Sequence, residues 1–136
     1  MTPQEAVALC RFTAACCPSQ KFDEYTADAW GLLLEDVRFV DAKEAVAAVA
    51  RKQPFVSPSE IRAEVKKIRA KRIAEFGAIP PPPAEVLDPD NWRAFIEWQA
   101  ETERRIADGE LKPGDLDLEL PQRDMKAIDR TFRRPA

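Results

Sequence analysis

Histidine is absent from this chain, glycine occurs four times in 136 residues, and no apolar run reaches the roughly eighteen residues needed to cross a bilayer. Each absence excludes a class of function. Without His there is no imidazole general base, no His-centred nucleophilic triad and no side chain that titrates freely near neutral pH. Gly31, Gly77, Gly109 and Gly114 are too scattered to form a phosphate-binding loop, and no G-x-x-x-x-G-K-[ST] string occurs, so ATP hydrolysis has no cradle. The first residues do not follow the basic, apolar, small-residue order of a secretory signal, so the sequence predicts a cytoplasmic protein.

Cysteine is also scarce: Cys10, Cys16 and Cys17 are an odd set inside an apolar helical pattern. Metal ligation needs spaced Cys pairs or Cys with His, and vicinal Cys16 and Cys17 supply neither, so all three read as small buried hydrophobes in a reducing compartment. Only carboxylates remain as catalytic candidates. Asp88, Asp90, Glu97, Glu101 and Glu103 have the density of an ordinary solvated helix surface. The expectation is a protein that acts by binding, not an enzyme, with no metal and no cofactor.

What the chain has in quantity is charge and proline. Net charge is only -3, but the signs are segregated. Residues 1–57 carry 6 Lys/Arg against 8 Asp/Glu, residues 58–84 carry 6 against 3, residues 85–122 carry 4 against 11, and residues 123–136 carry 5 against 2. Such segregation favours charge pairing within or between molecules over the uniformly basic balance of a nucleic-acid binder. Of twelve prolines, ten lie beyond residue 53, with a block at Pro80–Pro83.

The order of helix signals predicts an all-α protein. Thr2-Pro3-Gln4-Glu5 is a capping box with Pro at the first helical position, opening a helix over 3–16 whose buried side holds Ala6, Leu9, Cys10, Thr13, Cys16 and Cys17, with Phe12 at its edge. Thr26 is expected to cap a second helix, with Trp30, Leu33, Leu34 and Val37 on one face. Asp41, with Glu44 three residues on, is expected to cap a third with a small-residue seam of Ala42, Ala45, Val46 and Val49. Ser57-Pro58-Ser59-Glu60 opens a fourth, running to about Phe76 with Gly77 ending it. Ile61, Val65, Ile68, Arg72 and Phe76 form its stripe, and Arg62, Lys66 and Arg69 fall together on a basic flank, suited to phosphates or an acidic partner and equally to solvent.

Residues 78–88 then read as a stiff proline-rich linker, at about 3 Å per residue in a polyproline conformation. Asp88 or Asp90 is expected to start a fifth helix within 89–109, closed by Gly109, with Trp92, Phe95, Ile96 and Ile106 on one side and Trp98 off that stripe. Two tryptophans that one face cannot bury together suggest a second contact surface, since Trp is enriched at interface hot spots. Lys112–Pro121 reads as an extended acidic peptide. The last segment places Met125, Ile128 and Phe132 on one helical face with Arg123, Lys126, Arg130, Arg133 and Arg134 around it, a recognition element for a groove in its own domain or a partner. The expected divisions are a helical domain at 1–77, the linker, the aromatic helix, and an acidic-then-basic tail at 110–136.

Tyr25, Trp30 and Leu33, then Asp41-Ala42 and Ala45-Val46, then Ser57-Pro58-Ser59-Glu60-Ile61-Arg62 with Val65, Ile68-Arg69 and Arg72, occur in an order and spacing similar to the helicase loader or loader-inhibitor proteins of phages and prophages, particularly of actinobacterial phages. The likeness covers about residues 5–76. It implies a compact helical N-terminal domain with a C-terminal portion that grips a DnaB-type hexameric replicative helicase in a bacterial host cell. It also implies that the ring's ATPase and DNA binding are restrained until an origin-binding protein triggers release for replication. The helicase contact is then expected at Trp92, Phe95, Trp98, Met125, Ile128 and Phe132. Arg62, Lys66, Arg69, Arg130 and Arg133 form a basic surface for the origin protein or DNA, with direct DNA binding weak or absent. Two rivals stay open: a small helix-turn-helix DNA-binding phage protein, regulator or terminase-like, and a virion or scaffold interaction protein. The link from Arg51 to Ser57 has no Gly for the usual tight turn, which weighs against the first.

Overall fold

The computed structural model describes residues 1–116. The chain is all-helical: among the described residues there are five α-helices and no strand. They are α1 (Pro3–Cys16), α2 (Thr26–Leu33), α3 (Phe39–Ala50), α4 (Pro58–Phe76) and α5 (Trp92–Ala107), with a single 3-10 turn at Ala84–Val86. No helix among them is long and apolar enough to cross a membrane. Two compact units divide the chain, Met1–Arg72 and a second beginning at Ile73.

In the first unit the helix starts are built as the residue chemistry requires. Thr2 Oγ1 accepts from the Glu5 amide at 3.1 Å while Glu5 Oε1 accepts from the Thr2 amide at 2.8 Å, a reciprocal box that satisfies two otherwise unpaired donors. The same exchange opens α4, where Glu60 Oε1 accepts from the Ser57 amide at 3.2 Å and Ser57 Oγ accepts from the Glu60 amide at 3.4 Å. Two other starts differ from expectation. Thr26 is the first residue of α2, not its cap; the chain turns earlier, where Asp23 Oδ1 accepts from the Tyr25 amide and the Thr26 hydroxyl. Asp41 does not cap α3 either, because that helix begins at Phe39 and takes Asp41 into its first turn.

The core draws on all four helices: Leu9 and Cys10 from α1, Trp30 from α2, Ala42, Ala45, Val46 and Val49 from α3, and Ile61 and Val65 from α4. Leu34, Val37 and Val56 fill it from the connections. Phe22 meets Trp30 edge to face at 5.5 Å, the arrangement favoured by the ring quadrupoles. Alanines on the inner side of α3 let it approach its neighbours closely, and the Thr13 hydroxyl, buried in α1, is satisfied by donating to the Leu9 carbonyl at 2.8 Å. Leu33, expected inside, is exposed: it is the last residue of α2, and Leu34, whose amide still donates to the Trp30 carbonyl at 2.9 Å, takes the buried position beside Trp30. Cys10 and Cys17 are buried, and burial pushes both thiols above their ordinary pKa, whereas Cys16 at the end of α1 is exposed.

One contact between the connections has no signature in either segment. The Gln20 side chain donates to the Val56 carbonyl at 2.7 Å and accepts from the Val56 amide at 2.8 Å, pairing like a strand edge and tying the α1–α2 loop to the α3–α4 link. Val56 is buried, so removing the amide leaves two backbone groups without partners. Gln20→Ala is expected to cost about 1–3 kcal/mol in urea denaturation. Gln20→Glu, which keeps the shape and loses the donor, should recover only part of that.

The second unit contains the 3-10 turn Ala84–Val86 and α5. Pro83 sits at φ −56°, ψ 152°, the polyproline conformation that the Pro80–Pro83 block favours. The start of α5 at Trp92 is later than expected, since Asp88 forms a turn instead, accepting from the Asp90 amide at 2.9 Å. At its other end Gly109, at φ 79°, closes the helix: the Glu110 amide reaches the Arg105 carbonyl and the Gly109 amide the Ile106 carbonyl, a Schellman arrangement. Residues 112–116 are not extended. Pro113 and Gly114, the latter at φ 95°, occupy the centre of a turn closed by the Asp115 amide and the Lys112 carbonyl at 3.0 Å, as a Pro-Gly pair dictates.

Candidate protein-interaction surfaces and an ionic pin

Among the described residues no group of three or more His, Cys, Asp or Glu is placed to hold a metal ion. Chemistry concentrates in three places: α5, the basic side of α4, and a buried acid between α3 and α4.

On α5 the apolar stripe is divided along its length. Ile106 and Ala107, near the C-terminal end, are buried, as is Thr102. Trp92, Phe95 and Ile96, one turn apart at the other end, are exposed, Trp92 to 62% and Ile96 to 50%. Trp98 is half-buried, off the stripe as its position in the helix dictates. The Arg93 guanidinium lies 5.8 Å from the Trp92 ring centre, within cation–π range. The C-terminal end is fastened by Arg104, which pairs with Glu101 through two nitrogens, at 2.9 and 2.6 Å, and with Asp108 at 2.5 Å. Met125, Ile128, Phe132, Arg130 and Arg133 lie outside the described residues.

The basic flank of α4 is largely engaged inside its own unit. Arg62 donates through both terminal nitrogens to Asp36 and also to the Leu33 carbonyl at 3.2 Å. That fork holds the Asp36 carboxyl below its ordinary value near 3.8. Arg69 lies 3.8 Å from Asp41, and Lys66 is exposed. Arg62 and Arg69 therefore bring cation and acid together, and of the three only Lys66 adds an exposed ammonium with no acid within ion-pair distance among the described residues.

Asp41 is the residue that sequence reasoning placed in the wrong role. It is 1% exposed, and neither carboxylate oxygen has a hydrogen-bond partner of good alignment. Its compensation is charge: an Arg72 nitrogen reaches Oδ1 at 2.8 Å, off the hydrogen-bonding direction, and Arg69 approaches Oδ2. Arg72 also lies 3.6 Å from Glu44. A signal for this was present, since Arg72 continues the Ile61, Val65, Ile68 stripe, and a cation on an inward stripe needs a buried acid.

No protein-family model, no curated protein and no solved structure matches this chain.

Proposed function

We propose that this protein is a non-enzymatic helicase loader. It binds a DnaB-type hexameric replicative helicase, restrains the ring's ATPase and DNA binding, and delivers it for replication initiation. The observation that carries this reading is the exposed Trp92, Phe95 and Ile96 face of α5. Large aromatics left in water on one helix face are the anchors that protein interfaces use, because each buries wide apolar area at little cost in side-chain entropy. The order of motifs along residues 5–76 supports the same class by resemblance. In this reading the ring is held by that face together with Trp98 and the apolar positions Met125, Ile128 and Phe132, and an origin-binding protein is the second partner. The internal pairing of Arg62 and Arg69 weighs against α4 as a DNA-reading helix, which needs its cations for phosphates and base edges. The experiment is the ATPase of a purified DnaB-type hexamer at saturating concentrations of this protein. Turnover is expected to fall severalfold, and unchanged turnover would remove the restraining role.

A further inference from the structure

The outward side of α2 belongs to neither surface used above. Toward the core this helix turns Trp30, followed by Leu34, with Ala27 and Gly31 half-buried. At 100° per residue, Tyr25, Ala29 and Leu32 share an arc of about 60° on the opposite side, with Leu33 at its edge. Leu32 is 74% exposed, Tyr25 69% and Leu33 53%. A single exposed leucine is ordinary. Three large apolar side chains on one side of a short helix make a patch of a few hundred Å², the scale at which exposed apolar surface commonly has a partner.

The charge around the patch says what that partner is. From Asp23 to Val37 the chain contains five acids and neither Lys nor Arg. Asp23 is used in the turn before α2 and Asp36 is held by Arg62, which leaves Glu24, Asp28 and Glu35 exposed around the apolar strip. Asp28 flanks it along the helix, and the two glutamates stand at its ends. A nucleic acid or an anionic bilayer would meet this rim with like charge. So would a second copy of the chain docking through the same face, which would set Glu24, Asp28 and Glu35 against the same acids. The two cations beside the patch are already engaged, Arg62 by Asp36 and the Leu33 carbonyl and the N-terminal ammonium by the Glu35 carbonyl.

We propose that the outward face of α2 is a docking surface for a basic amphipathic helix of a second protein. Such a helix lays apolar residues spaced i, i+3 or i+4, i+7 on Tyr25, Leu32 and Leu33. Its Lys and Arg pair with Glu24, Asp28 and Glu35 at the rim, setting orientation and association rate while the apolar contact supplies the affinity. This surface lies in the first unit and does not depend on the α5 contact.

The full chain, labelled with 15N, is titrated with a twenty-residue synthetic helix carrying Leu at the a and d heptad positions and Lys or Arg elsewhere, and with its twin carrying Glu for every Lys and Arg. The expected result is saturable amide shifts centred on Tyr25–Leu33, binding weakened at least tenfold in Leu32→Ser/Leu33→Ser, and at least tenfold weaker binding of the acidic twin. Both leucines are exposed, so the double variant should keep the dispersed spectrum of the parent away from α2. Shifts centred on α5, unchanged affinity in the double variant, or equal binding of the acidic twin would each overturn the proposal. A concentration-dependent dimer of the free protein that Leu32→Ser abolishes would also overturn it, by making a second copy the occupant.

Discussion

Arg72→Ala is expected to destabilise the first unit by about 2–4 kcal/mol, whereas Asp41→Ala costs about 1 kcal/mol, although the two variants delete opposite ends of one ion pair. The asymmetry follows from burial. Removing the arginine leaves a carboxylate that is 1% exposed, with no aligned donor and with Arg69 as its nearest remaining cation at 3.8 Å. Removing the aspartate leaves two guanidiniums that are partly in contact with water and can hydrate. The Asp41→Ala/Arg72→Ala double variant should then be more stable than Arg72→Ala alone, with a coupling energy of at least about 1 kcal/mol in a double-mutant cycle. Urea denaturation of the four proteins measures this. An Arg72→Ala cost below that of Asp41→Ala would show that the pin does not hold the α3–α4 contact.

Trp92→Ala and Phe95→Ala are each expected to weaken binding to a DnaB-type hexamer by about 30-fold, the effect of removing a hot-spot anchor worth about 2 kcal/mol. Their folding stability should stay within about 0.5 kcal/mol of the parent, because both side chains are exposed. Trp98→Ala differs in kind: this ring is half-buried, so its loss lowers stability as well as any affinity. Phe132→Ala, beyond the described residues, carries the same expectation for ring binding. Binding isotherms with the labelled ring, alongside denaturation curves, separate the two effects. Parent affinity in both Trp92→Ala and Phe95→Ala would remove the α5 face from the helicase contact.

How much of this was legible in the sequence depends on how local each interaction is. The boxes at Thr2 and Ser57, the ends at Gly77 and Gly109 and the seam of α3 are set by residues three or four apart, and pattern reading finds such features. Asp41 misled because an acid ahead of an apolar run fits a cap as well as it fits a buried charge. Its partner stands 31 residues away, and only the packing of α4 on the unit brings them together. The Gln20 clamp on Val56 was illegible for the same reason: a polar loop residue carries no mark of which backbone it will pair with. Leu33 was misassigned because, three residues after Trp30, it stands at the edge of the inward arc of α2, and the core takes Leu34, four residues after Trp30, instead. The turn at Lys112–Asp115 was missed by weighing Leu-acid alternation above a Pro-Gly pair. On α5 the two tryptophans showed that one face could not bury both, but not which would stay outside: Trp92 is exposed and Trp98, the one off the stripe, is half-buried. The exposed face of α2 was not anticipated, since Tyr25, Leu32 and Leu33 become a surface only once Trp30 and Leu34 have taken the inside.

The loader reading is tested most directly by size-exclusion chromatography with light scattering of this protein mixed with a DnaB-type hexamer, with and without ATP. The account predicts co-migration at a defined ratio, with the Trp92→Ala/Phe95→Ala variant eluting apart from the ring. Separate elution of the parent protein from both a host and a phage hexamer, in either nucleotide condition, would contradict it.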